Sequence, residues 1–313
     1  MVSAEKTVKN ERDDAIRGAI SASEYPFSSN YFEVNGAHRM HYVDEGEGKP
    51  VVMIHGNPSW SFYYRNLIQR LRSDVRTIAP DHIGCGLSDK PGDEDYEYTL
   101  SRRVADLDAF LSEVVAGEKV TLVLHDWGGM IGMAWAVRNP ERVERIVLLN
   151  TAAFHLPDSK RLPLSLWLAR NTRVGAFLVN RFNAFSRGAV RFCVTEKMSD
   201  EVAQSYTAPY SSPKDRIATL RFVQDIPLKP GDLGYELVSE TEAKLPSLSD
   251  RPILIGWGHQ DFVFDAHFLD RWRQIYPDAQ YVEYPDAGHY VLEDRSEELG
   301  AEIATFLNAT DDG

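Results

Sequence analysis

The clearest chemistry in the chain belongs to Asp126, in Leu124-His125-Asp126-Trp127-Gly128-Gly129, where an apolar run at 120–124 turns through glycines into a helical pattern. A nucleophile held at a sharp strand-to-helix turn commonly sits in Gly-x-Ser-x-Gly. Here Asp stands in the place of the serine and Leu124 in that of the first glycine. An aspartate that merely caps a helix would suit the position but would explain neither Gly128-Gly129 nor the candidate histidine and acid further along the chain. With an ordinary pKa of about 3.9, a carboxylate is ionised at neutral pH and needs no base, so it can displace a leaving group from saturated carbon directly. The product is an ester of the enzyme. Its hydrolysis calls for a base to activate water and for donors to the oxyanion.

His289, in Pro285-Asp286-Ala287-Gly288-His289-Tyr290, follows the last strand-like run and is the one of nine histidines in the slot for that base. An acid that orients it should lie between nucleophile and histidine in the chain. Asp261, in Gly256-Trp257-Gly258-His259-Gln260-Asp261, meets that requirement 28 residues earlier, with Asp265 as its nearest competitor. His55-Gly56-Asn57-Pro58 follows the third strand, so the backbone N–H groups of Asn57 and Trp127 are the expected oxyanion hole. Their side chains, an amide and an indole, are donors beside the nucleophile. They suit a halide, which accepts hydrogen bonds but takes no proton.

Other candidates carry less. Gly84-x-Gly86 lacks the third glycine of a dinucleotide fingerprint and reads as a tight loop after the fourth strand. His38 and His41 would point to opposite faces of a strand, which disfavours a metal site. No metal or cofactor is called for. Cys85 and Cys193 read as free, partly buried thiols.

The elements that must position these residues follow a strand–helix–strand grammar. Residues 31–34 and 38–43 flank Asn35-Gly36 and predict a hairpin. Apolar runs at 51–54, 75–79, 120–124, 145–149, 252–256 and 280–284 then alternate with helical segments, predicting an eight-stranded, mostly parallel sheet with helices on both faces. Residues 25–154 and 249–313 would form this main domain. Residues 155–248 show no strand alternation but place Leu164, Trp167, Leu168, Val174, Phe177 and Leu178 at helical spacing. They read as a helical cap whose apolar positions pack onto the main domain. Residues 1–24 are polar and read as a tail or a loosely docked helix.

With 34 Lys and Arg against 47 Asp and Glu, the formal charge of −13 disfavours nucleic acid and, at long range, anionic membranes. No apolar run is long enough for a membrane span, and the opening residues lack a signal-peptide pattern, so the cytoplasm is the expected compartment.

In His55-Gly56-Asn57-Pro58-Ser59-Trp60, Asp81-His82-Ile83-Gly84-Cys85-Gly86-Leu87-Ser88-Asp89-Lys90-Pro91, His125-Asp126-Trp127-Gly128-Gly129 and Ala287-Gly288-His289-Tyr290, the chain resembles the haloalkane dehalogenases of the α/β-hydrolase superfamily. The likeness is to their third subfamily, which overlaps the β-lactone decarboxylases of bacterial olefin biosynthesis. It implies Asp126 as nucleophile, His289 as base, Asp261 as acid, Asn57 and Trp127 as the halide pair, and a tendency to self-associate. A second subfamily takes its acid as Glu after the sixth strand, where this chain has Asn150. In the cap, Ala208-Pro209-Tyr210 is similar to a dehalogenase segment that usually has Phe in place of Tyr210. The expected activity is displacement of halide from a small hydrophobic substrate, followed by hydrolysis with water to an alcohol. The alternatives are β-lactone decarboxylation, which the same residues serve, and epoxide opening, which wants cap tyrosines such as Tyr206 and Tyr210 as proton donors. A non-catalytic receptor on the same fold would not need the intact set of Asp126, Asp261 and His289.

Overall fold

A computed structural model describes residues 13–309. Strands β1 (Asn30–Val34) and β2 (His38–Glu45) pair antiparallel, and Asn35 and Gly36 between them both take positive φ, as a type I′ turn requires. β2 then pairs antiparallel with β4 (Arg76–Pro80). The remaining strands are parallel: β3 (Pro50–Ile54), β5 (Val120–Asp126), β6 (Val143–Thr151), β7 (Ile253–Gly258) and β8 (Gln280–Tyr284). The order is β1-β2-β4-β3-β5-β6-β7-β8, the eight-stranded, mostly parallel sheet that the sequence predicts.

Every residue of β3 and β5 is buried, because helices cover both faces. In chain order the helices of the main domain are α1 (13–18), α2 (Arg65–Leu71), α3 (Leu100–Val114) and α4 (Trp127–Ala136). Six more lie between β6 and β7: α5 (Leu164–Asn171), α6 (Arg173–Phe182), α7 (Ala184–Phe192), α8 (Asp200–Thr207), α9 (Ile217–Gln224) and α10 (Tyr235–Lys244). After β7 come α11 (Ala266–Ile275), α12 (Val291–Asp294) and α13 (Ser296–Asn308). Alternate strand residues divide the core: Val52, Ile54 and Leu122 face Leu107, Phe110 and Trp135, whereas Val51, Met53 and Val123 face Leu67, Ile68 and Ile303.

One expectation needs correction. The six apolar cap positions expected to pack inward, Leu164, Trp167, Leu168, Val174, Phe177 and Leu178, are all exposed. Their neighbours Leu166, Ala169 and Val179 are buried instead, with Leu220 and Val223 of α9. α5 and α6 approach closely, since a Cβ added at Gly175 would stand 2.2 Å from the carbonyl oxygen of Leu168, and the face turned inward is the one that carries Leu166, Ala169 and Val179. Of the two readings of the N-terminal segment, a tail or a loosely docked helix, the described part shows a docked helix at 13–18. Residues 1–12 lie outside the described part, but Asp13 accepts hydrogen bonds from Tyr31 (3.2 Å) and Arg39 (3.3 Å), and Ile16 is buried among core residues.

Candidate active site

The parallel strands deliver their loops to one edge of the sheet, where open α/β sheets place their sites. His55–Pro58 follow β3, Asp126 ends β5, Asn150 lies near the end of β6, and Asp261 and His289 follow β7 and β8. Asp126 takes φ 52° and ψ −126°, a conformation that a side chain with a Cβ rarely adopts. Three glycines make room for it. A Cβ at Gly128 would meet the Ile54 carbonyl oxygen at 1.9 Å, one at Gly129 the Thr151 hydroxyl at 1.9 Å, and one at Gly56 the Asp126 carboxylate at 2.0 Å. The elbow is thus wedged between β3 and β6, and the Thr151 hydroxyl donates to the Asp126 carbonyl.

The structure brings Asp126, Asp261 and His289 together. His289 Nδ1 lies 2.7 Å from Asp261 Oδ2, and its Nε2 lies 3.5 Å from Asp126 Oδ2. The backbone N–H of Asn57 donates to Asp126 Oδ1 at 2.7 Å, the position expected of an oxyanion-hole donor. Burial opposes charge on all of these groups, yet the charges compensate one another. Burial would lower the pKa of His289, but the carboxylates of Asp261 and Asp126 outweigh it and raise the imidazole to about 10. Burial would raise that of Asp126, but the hydrogen bond and charge of His289 hold it below the ordinary range. The resting site is therefore an imidazolium between two carboxylates. Loss of the charge on Asp126 would remove one of the two carboxylates that hold the imidazole in its charged form.

Asn150, which in the sequence only marks where an acid is missing, has a positive part in the geometry. Its Nδ2 donates to Asp261 Oδ2 (3.0 Å) and to the Gly258 carbonyl (3.0 Å), while its Oδ1 accepts from Gly258 N–H at 2.8 Å. With Val263 N–H on Asp261 Oδ1 at 2.7 Å, the acid is fixed from three sides. The available signal was an Asn at the sheet edge, one strand before the acid. His125 is a second residue whose role the motifs do not reveal. Its pKa is lowered by burial to about 3, so it is neutral and donates from Nε2 to the His289 carbonyl at 2.9 Å. Asp265 is not a competitor: it caps α11 and pairs with Lys160. The Asp81–Ser88 loop is a brace. Asp81 accepts from His41 Nδ1 (2.8 Å), Ser61 N–H (2.7 Å) and Leu87 N–H (2.9 Å), and His82 N–H donates to His55 Nε2 (3.0 Å). Cys85 and Cys193 are free and buried.

Asn57 and Trp127, the pair expected to hold a halide, are placed unevenly. Trp127 lines the cavity above Asp126, and its ring leans on Phe222 at 5.3 Å. The Asn57 amide donates to the Thr219 carbonyl of α9 at 3.1 Å, so one of its two N–H groups is taken by the cap, and its oxygen is buried without a partner. The cavity measures about 300 Å³. Its floor is Asn57, Asp126, Trp127 and His289, and its walls are apolar, among them Phe154, Leu166, Phe185, Val223, Ile226 and Phe264. Tyr206 and Tyr210 do not line it: the first donates to Glu293 and the second to the Ser59 carbonyl. No proton donor for an epoxide oxygen comes from either.

Residues 49–296 match the family described as alpha/beta hydrolase fold, and a Shewanella oneidensis protein named cis-3-alkyl-4-alkyloxetan-2-one decarboxylase is 55% identical over 91% of this chain and 90% of its own. The chain belongs to the α/β hydrolases. Haloalkane dehalogenase 2 of Mycobacterium tuberculosis is 31% identical over 89% of the chain and 94% of its own. The crystal structure of haloalkane dehalogenase DatA from Agrobacterium tumefaciens superposes with a TM-score of 0.80 at 26% identity, covering 92% of this chain and 98% of that one. The overlap of dehalogenases and lactone decarboxylases that the motifs imply is thus present among the relatives of this α/β hydrolase. The expectation of carbon–halide chemistry is borne out only as far as an α/β-hydrolase enzyme. Among the described residues no helix is long and apolar enough to cross a membrane.

Proposed function

We propose that the protein decarboxylates cis-β-lactones bearing an alkyl group on each of the two saturated ring carbons, with Asp126 as nucleophile. The observation that carries this reading is the 55% identity to an enzyme named for that reaction, against 31% to a dehalogenase at similar coverage. The geometry supports it. Ionised Asp126 attacks the alkyl-bearing carbon that holds the ring oxygen, breaking that C–O bond. The ring oxygen departs as a carboxylate, for which Trp127 and Asn57 supply donors. The ester then fragments: the bond to the carboxylate breaks, its electrons form the alkene, CO₂ leaves, and Asp126 departs with its own oxygens. Attack from the back and departure anti to the carboxylate together preserve the cis relation of the two alkyl groups. No water is consumed, so the sequence of steps needs no neutral His289. An imidazolium held by Asp261 stabilises the returning Asp126 carboxylate, and the apolar walls leave the substrate carboxylate poorly solvated.

Dehalogenation is the second reading, kept because Trp127 and Asn57 are donors that would also suit a halide. A side-by-side assay of a dialkyl cis-β-lactone and a bromoalkane panel separates the two. Lactone turnover to alkene and CO₂ is expected to exceed bromide release, and Asp126→Asn should lower it by at least about 10⁴-fold. Bromide release with an inert lactone would reverse the assignment.

A further inference from the structure

The negative charge of the chain is unevenly placed. Residues 159–195 contain seven cations, Lys160 and six arginines, and no Asp or Glu, in a chain of net charge −13. Lys160 and Arg170 are paired with Asp265 and Asp232. The other five, Arg161, Arg173, Arg181, Arg187 and Arg191, are exposed and make no ion pair among the described residues. The same segment holds eight of the eleven exposed large hydrophobic residues among the described residues, including Leu164 (71% exposed), Trp167, Val174, Phe177, Phe182 and Phe192 (67%). They lie on α5, α6 and α7, which pack side by side, and the Phe177 and Phe182 rings meet at 5.7 Å.

This combination selects an occupant. Short helices with bulky apolar and aromatic side chains, studded with arginine and free of acid, fit the boundary between anionic headgroups and acyl chains. A second copy is disfavoured, since an isologous contact would set unpaired arginines against each other. We propose that the outer face of α5–α7 docks the enzyme on an anionic lipid surface. The net charge argues against membranes at long range, but the local charge on this face has the opposite sign.

The surface also bears on entry to the site. Ser165, Ala184, Phe192 and Phe262 line the cavity and are themselves exposed, so the cavity opens beside the docking face. If the lactone reading holds, alkyl chains too long for about 300 Å³ extend toward the lipid from which such a substrate would partition. Docking itself does not depend on that reading.

The test is flotation of the full chain with vesicles of phosphatidylcholine containing phosphatidylglycerol, and with phosphatidylcholine alone. Wild type should float with the first and not the second, and should be released at about 1 M salt. Each basic residue at such a surface contributes about fivefold, so Arg173→Glu with Arg181→Glu should weaken binding at least about 20-fold. Trp167→Ser with Phe177→Ser should weaken it at unchanged net charge. A thermal melt matching wild type checks that each variant is folded. Three results would overturn the proposal: no flotation with anionic vesicles, equal flotation by the folded charge-reversed variant, or a dimer in solution that the Trp167→Ser, Phe177→Ser variant dissociates.

Discussion

The floor of the site and the cap above it are built on opposite terms. At the floor, three side chains are held in a chain of polar contacts: Asp126 by Asn57 N–H and His289, His289 by Asp261, and Asp261 by Asn150 and Val263 N–H. The cap contributes apolar wall and one polar contact to the floor, from the Thr219 carbonyl to Asn57. Its helices pack tightly inward through Leu166, Ala169 and Val179 while presenting bulky side chains outward. In the proposed reaction the sheet edge would carry the chemistry and the cap helices would shape the cavity, with the Thr219 carbonyl tying the two through Asn57.

Removing Asn150 should break the floor without touching a reacting atom. Asn150→Ala frees one side of Asp261, so His289 loses its orientation. We expect kcat to fall by about 10²-fold with KM little changed, the usual cost of a small misplacement at a reacting centre. Steady-state kinetics on whichever substrate the enzyme turns over will decide it. A KM effect alone would mean that Asn150 merely shapes the cavity.

Within the cap the contrast can be sharpened on adjacent residues of α5. Leu166→Ala should cost about 2–5 kcal/mol of stability, as buried leucines do. Trp167→Ser, on the outer face, should change it by less than about 0.5 kcal/mol despite the larger side chain removed. Urea unfolding of the pair measures both, and equal losses would mean that the outward side chains are packed after all.

This division also explains what could be read in the sequence. Strands buried on both faces announce themselves as apolar runs, and Asp126, Asp261 and His289 fall where such strands deliver their ends to one edge, so the sheet and the gathering of these three candidate residues were both legible. Asn150 was not, because a buried Asn positions its neighbour through geometry that no spacing reveals. The cap's orientation was hidden for a different reason. Helical periodicity shows that Leu164, Trp167 and Leu168 share a stripe, but where apolar residues surround a helix it does not say which face is inward. Gly175, where α6 meets the Leu168 carbonyl, reads in sequence as a weak helix former rather than as a contact. The reaction itself lay beyond the motifs, since the same nucleophile and donors serve a halide and a lactone.

The central claim is that Asp126 attacks carbon and returns without the help of water. Turnover of a dialkyl cis-β-lactone in water enriched in ¹⁸O, followed by mass analysis of the peptide that contains Asp126, tests it directly. Alkene should form over many turnovers with the Asp126 carboxylate still carrying its original oxygens. Incorporation of ¹⁸O into Asp126 during alkene formation would contradict it, because a label there requires water to have attacked an ester of that residue.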